Sequence, residues 1–186
     1  PEGYAQTVSF ALDQLVELSD GEVGIGADGF YINGTAATVS SFDGVRAALA
    51  VPIPGGIDVG GASISPPAIS PYNWEAERFS TRIVLSGFVP NDDVRSQLIA
   101  EAEKLGTVDD QMLLGSGAPS GFADMATRGI QQLAALSTGR STLNGTRYSI
   151  TGRAMTPEVF EAQVGRISAE LVAGFSMGSN SIQPPE

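Results

Sequence analysis

Residues 15–21 read Leu-Val-Glu-Leu-Ser-Asp-Gly, and residues 133–139 read Leu-Ala-Ala-Leu-Ser-Thr-Gly. The likeness is not local. Residues 4–67, moved forward by 118 positions, fall on residues 122–185 without a gap. Ile32 and Gly34 fall on Ile150 and Gly152, Ala36 and Thr38 on Ala154 and Thr156, and Phe42 on Phe160. Gly56, Gly60, Ser63, Ile64, Pro66 and Pro67 fall on Gly174, Gly178, Ser181, Ile182, Pro184 and Pro185. One register held across so many landmarks marks an internal duplication, and the duplicated unit sets the fold.

Each copy carries the same local signals. Leu12, Leu15, Val16 and Leu18 recur at helical spacing, and Gly21 is placed to end that helix; Ile130, Leu133, Leu136 and Gly139 do the same in the other copy. Two short strands follow, with Asp28-Gly29 or Asn144-Gly145 as the hairpin signal. Gly34 and Gly152 close the second strand. Thr38 and Thr156 are N-cap candidates, and Pro157 suits a first helical position. The second helix carries Phe42, Val45 and Leu49, or Phe160, Val164, Ile167 and Leu171. A last strand alternates at Ile57 and Val59, or at Phe175 and Met177. The unit is helix–strand–strand–helix–strand.

Residues 68–118 form a shorter relative. Trp74–Ser80 and Thr81–Val89 can pair as strands, and Leu-Ser-Gly at 85–87 matches Ile-Asn-Gly at 32–34 and Ile-Thr-Gly at 150–152. Asn91 caps a helix with Val94, Leu98, Ala102 and Leu105 on one face, and Gly106 stops it. Val108–Leu114 is the final strand. The leading helix is missing, and Pro-Ala-Ile-Ser-Pro at 67–71 stands in its place as a linker. The expected fold class is α+β: three tandem small units at 1–67, 68–118 and 119–186, each a small mixed sheet covered by helices. Each is near the size at which one core is marginal alone, so edge-strand pairing or packing between units should contribute to stability.

Composition narrows the chemistry. The 186 residues include 10 Lys+Arg against 21 Asp+Glu, a formal charge of -11, with no His and no Cys. Such a surface repels nucleic acid and is not drawn to anionic membranes. Ser-His-Asp and Cys-His catalysis, His or Cys metal sites and disulfides are excluded; carboxylate chemistry is not. No apolar run approaches the roughly 20 residues that span a bilayer. No cofactor is expected.

The isolated motifs read as structure. Gly24, Gly26 and Gly29 spell G-x-G-x-x-G, but a helix precedes and a strand follows, the reverse of a dinucleotide site. Gly174, Ser176 and Gly178 spell G-x-S-x-G, but no histidine base exists and Asp58 takes the place of Ser176 in the first copy. Gly115, Gly117 and Gly121 lack the lysine of a phosphate loop and read as a linker. Asp92-Asp93 belong to a helix's first turn, and Asp109-Asp110 alternate on a strand; both pairs read as solvated acids instead of a calcium site. Asn33-Gly34-Thr35 and Asn144-Gly145-Thr146 match a glycosylation sequon and read as turn chemistry. Tyr72, Trp74 and Phe79 are the candidate ligand or partner contacts, with packing between units as the competing role of Trp74.

The unit, with its Gly-x-Ala/Val-x-Thr/Asn turn into the second helix, resembles the BON domain. The whole arrangement resembles the repeat region of OmpA-family envelope proteins of the alphaproteobacterial type. The resemblance rests on residues 8–15, 65–76, 83–90 and 181–185 and spans nearly the whole chain. It implies a periplasmic, envelope-tethered protein whose repeats space or assemble a wall-associated partner, with envelope proteins, lipid or peptidoglycan engaged through the parent protein. The helix and strand motifs by which an OmpA-like domain holds peptidoglycan are absent here, so no wall-contacting residue carries over. Two further functions compete: a small-ligand or lipid-binding protein with an apolar cleft between units near Tyr72, Trp74 and Phe79, and a carboxylate-dependent glycoside hydrolase. The last needs two acids on opposite sides of a sugar, and no acid recurs at inward positions of both long copies.

Overall fold

A hairpin must cover one of its faces, and the helices on either side of it in sequence pack on its strands. The computed structural model describes residues 3–166 and 170–185. Its five helices and nine strands form an α+β fold with two mixed sheets, one of three strands and one of six. The chain divides into two compact units, Pro1–Ala68 and Ile69–Glu186.

The first unit runs α1 (Tyr4–Val16), β1 (Leu18–Gly26), β2 (Gly29–Ala36), α2 (Val39–Leu49) and β3 (Val59–Ser65). β1 and β2 are antiparallel; α2 then carries the chain across to β3, which lies parallel to β2. The core is Ala11, Phe30, Ile32, Val45 and Ile53, ringed by Phe10, Leu18, Val23, Leu49, Ile57 and Ile64. Thr38 caps α2 by accepting from the Ser41 amide at 3.0 Å.

The second unit holds β4 (Asn73–Phe79), β5 (Arg82–Val89), α3 (Asp92–Glu103) and β6 (Thr107–Leu114), then α4 (Phe122–Leu133), β7 (Leu136–Asn144), β8 (Arg147–Ala154), α5 (Pro157–Arg166) and β9 (Ser176–Gln183). All six strands join one sheet in the order β6-β5-β4-β7-β8-β9. The middle and last sequence segments therefore share one sheet, and the glycine-rich stretch 115–121 is a short connection inside the unit. Asn91 caps α3 through its Oδ1, which accepts from the Val94 amide at 2.9 Å, and Thr156 likewise accepts from the Val159 amide. Ile167 falls outside the described residues, as does the side chain of Val164.

The two long copies share their strand register residue for residue. Leu18 opposes Ala36 as Leu136 opposes Ala154, and each hairpin has its bulge at that same point. Phe30 opposes Val59 as Tyr148 opposes Met177, again with a shared irregularity one residue on.

Three expectations need correction. Gly21 and Gly139 do not end helices. α1 ends at Val16 and α4 at Leu133, and both glycines lie inside strands, facing Gly34 and Gly152. The reason is space: a Cβ on Gly21 would lie 2.3 Å from the Asn33 carbonyl oxygen and 2.8 Å from the Gly34 Cα. Leu18 and Leu136 begin the strands and fold over these glycine pairs. The last strands end beside the paired prolines as expected, at Ser65 and Gln183, but begin only at Val59 and Ser176, after Ile57 and Phe175. Asn33-Gly34-Thr35 lies within β2 and not in a turn.

Candidate functional site

The joint between the middle segment and the third repeat shows how this unit grips another of its kind. β4 pairs antiparallel with β7 along their whole lengths, from Asn73 opposite Asn144 to Phe79 opposite Thr138. Cross-strand backbone bonds make such an edge adhesive, and side chains decide what it accepts. Arg140 supplies the charge. Its guanidinium donates to Glu77 at 3.0 Å and lies 3.4 Å from Glu75, both on β4. These carboxylates, Glu77 first, hold Arg140 above its usual value. Arg78 of β4 donates to the Leu133 and Ala134 carbonyls, at 2.8 and 3.1 Å, and so caps the C-terminal end of α4. Burial pulls its guanidinium down, while the negative end of the helix favours its charge.

The two halves of this sheet are related by a local two-fold. Gly87 answers to Gly152, and its cross-strand partner Trp74 answers to Gly139. By the same count Ala76 answers to Ser141, and these two residues face each other across the β4–β7 joint, both fully buried. A single helix, α4, packs on β7, on β4 and alongside α3. The buried Ser141 hydroxyl lies 3.2 Å from the Tyr148 hydroxyl, which donates to Gln132 Oε1 at 2.6 Å. Burial pushes Tyr148 up to about 12.

The same positions of the first unit face solvent. Tyr4, Leu12, Leu15 and Val16 are 56%, 56%, 37% and 78% exposed on α1, although Leu12, Leu15 and Val16 recur at the helical spacing of a packed face. Three of their counterparts on α4, Phe122, Ile130 and Leu133, are at most 3% exposed. The difference is the neighbour: α4 has α3 and β4 beside it, whereas the buried positions of α1 are Thr7, Ala11 and Gln14. β1 pairs with β2 alone among the described residues, so its other edge is open. That edge is acidic. Asp20 and Glu22 are exposed, Glu17 sits at the C-terminal end of α1, and Glu22 occupies the position of Arg140. Sequence reading missed this surface because its apolar residues carry the spacing of a core.

Tyr72, Trp74 and Phe79 do not form one contact face. Tyr72 and Trp74 are 3% and 1% exposed. Their rings pack edge-on against Phe122, at 5.2 and 6.3 Å, and the Tyr72 hydroxyl donates to the Gly115 carbonyl at 2.9 Å. Burial pushes the Tyr72 hydroxyl upward. Phe79 is half exposed, at the far end of β4 and on the opposite side of the strand, because side chains alternate. A depression of about 330 Å³ lies over the Trp74–Gly87 pair, lined by Glu75, Ser86, Thr142 and Asn144, with more polar than apolar surface. Asp109 pairs with Arg82 and Asp110 with Arg95, so these acids balance cations. Among the described residues no three acidic side chains gather where they could hold a metal ion, and no helix is long and apolar enough to cross a membrane. No protein-family model matches the chain, and no curated protein matches it.

Proposed function

We propose that the protein is a non-enzymatic module of the cell envelope, built from BON-like units, that holds and spaces partners in the periplasm through strand pairing and helix packing. The observation that carries the reading is the β4–β7 joint, where a segment without a leading helix and a complete repeat combine into one sheet through backbone bonds and the Arg140–Glu75–Glu77 cluster. The same repeat occurs in the first unit with an open edge strand and an apolar helix face, the features by which strand-adding modules take partners. The charged side chains that do meet are paired as cation and carboxylate, the pattern of a structural network.

The OmpA-family assignment rests on the sequence resemblance set out above. Cell fractionation of bacteria expressing the tagged parent protein tests it. Recovery with the periplasm or the envelope is expected; recovery in the cytosol overturns the envelope reading. Incubation of the purified chain with cell-wall polysaccharide tests the non-enzymatic part. No released sugar is expected, and release abolished by an Asp→Asn change would restore the hydrolase.

A further inference from the structure

The third repeat shows what covers the surface that the first repeat leaves open. We propose that the outer edge of β1 and the exposed face of α1 are a docking surface for a strand–strand–helix–strand segment that has no leading helix and carries basic residues on its first strand. The inference deepens the partner-holding reading and names the partner's chemistry.

Three observations fix the occupant. First, the register is shared, so every position of β7 that meets β4 has a counterpart on β1. Tyr4, Leu12 and Leu15 are the counterparts of Phe122, Ile130 and Leu133, which are buried in the unit that contains the middle segment. Second, one helix covers both central strands of the six-stranded sheet. Two copies of this chain joined through β1 would bring two α1 helices to the place that α4 fills alone, so the occupant must lack that helix, as the middle segment does. Third, the charge is reversed. Glu77 opposes Arg140 across the joint, and Glu22 stands where Arg140 does, so the partner needs Lys or Arg where β4 has Glu77. Its next residue, the counterpart of Arg78, would meet the Leu15 and Val16 carbonyls at an α1 end that has no basic residue of its own in the last turn. The middle segment itself, with Glu75 and Glu77, is rejected by that edge and accepted by β7. The charges therefore sort the two joints.

The test extends the full chain at its N-terminus by a second copy of residues 69–118 carrying Glu75→Lys and Glu77→Lys, so that residues 1–3 take the place of residues 119–121 and the linkage by which the middle segment precedes α4 is kept. Hydrogen exchange is then read along β1. Slowing of at least tenfold relative to the unextended chain is expected, with most of it lost in Glu22→Lys and in Leu12→Asp. An extension with the original Glu75 and Glu77 should protect β1 less, and should regain protection with Glu22→Arg. Unchanged exchange in the charge-matched extension overturns the proposal, as does protection indifferent to residue 22. Sedimentation of the unextended chain as a dimer with β1 protected would instead make the occupant a second copy. Its flotation with phosphatidylcholine vesicles, lost in Leu12→Asp, would make it a lipid surface. None of these readouts depends on cellular location, so cytosolic recovery of the parent protein would fail the envelope reading and leave this one standing.

Discussion

The first and third repeats pair their strands in the same register, yet α1 exposes the positions that α4 buries. Their sequences are equally apolar there: Leu12 and Leu15 stand for Ile130 and Leu133. What differs is the company of the helix. A helix at the end of a three-stranded sheet has one wall to lean on, and its flank stays wet. A helix over the middle of six strands with α3 beside it has its flank dry. Burial in this family of repeats is thus decided by what the neighbouring segment supplies, and a core-like pattern on an end unit marks a surface that can be covered.

The sharpest way to break this comparison is to truncate matched residues. Ile130→Ala and Leu133→Ala should each cost about 2–5 kcal/mol, because fully buried methylenes leave cavities. Trp74→Ala should cost about 3–5 kcal/mol by the same mechanism, since its ring is buried against Phe122 and Met112. Leu12→Ala on exposed α1 should stay within about 0.5 kcal/mol. Chemical denaturation read by circular dichroism checks all four, and Trp74, the single tryptophan, reports its own unit in the variants that retain it. Equal costs for Leu12 and Ile130 would show that α1 is covered after all.

Much of the architecture was legible. The shift of 118 positions predicted one topology twice, and the caps at Thr38, Asn91 and Thr156 lay where short polar side chains preceded apolar runs. The rest was hidden for identifiable reasons. Gly21 and Gly139 looked like helix stops because a glycine after an apolar helix usually is one; the pairing with Gly34 and Gly152 that demands them is non-local. β3 and β9 are strands of small and polar residues, Val-Gly-Gly-Ala-Ser-Ile-Ser and Ser-Met-Gly-Ser-Asn-Ser-Ile-Gln, and their pairing with β2 and β8 comes from the crossover and not from alternation. Tyr72 and Trp74 suggested a binding face, but the ring that covers them, Phe122, lies about fifty residues on. The exposed face of α1 was unreadable because periodicity defines a face without saying what meets it. The exchange of Glu22 for Arg140 was visible in the alignment of the copies, but it gained meaning only when Glu77 was found opposite.

Two smaller effects sharpen the contrast. The polar contact under α4 has no equivalent in the first unit, where Phe30 and Val23 replace Tyr148 and Ser141. Tyr148→Phe should cost about 1–3 kcal/mol by leaving the buried Gln132 carbonyl oxygen without its donor. The same residue sets an alkaline limit. Its folded value is raised from 10.0 to about 12, so the neutral hydroxyl is favoured in the fold. Its contribution is fully present below pH 10 and is lost as pH rises through about 12, and Tyr148→Phe should remove that part of the slope. Denaturation midpoints followed between pH 9 and 12 check it. The Arg140 cluster is half exposed, so Arg140→Ala should cost only about 0.2–1 kcal/mol, measured by the same denaturation and shrinking with salt.

The account turns on one sheet edge being joined in the third repeat and open in the first. Native-state hydrogen exchange on the free chain measures both edges in one sample. The β7 amides that bond β4 should exchange only through opening of the whole second unit, while their counterparts on β1, 118 positions earlier, should exchange at least a hundredfold faster. Equal protection of the two strands would contradict it.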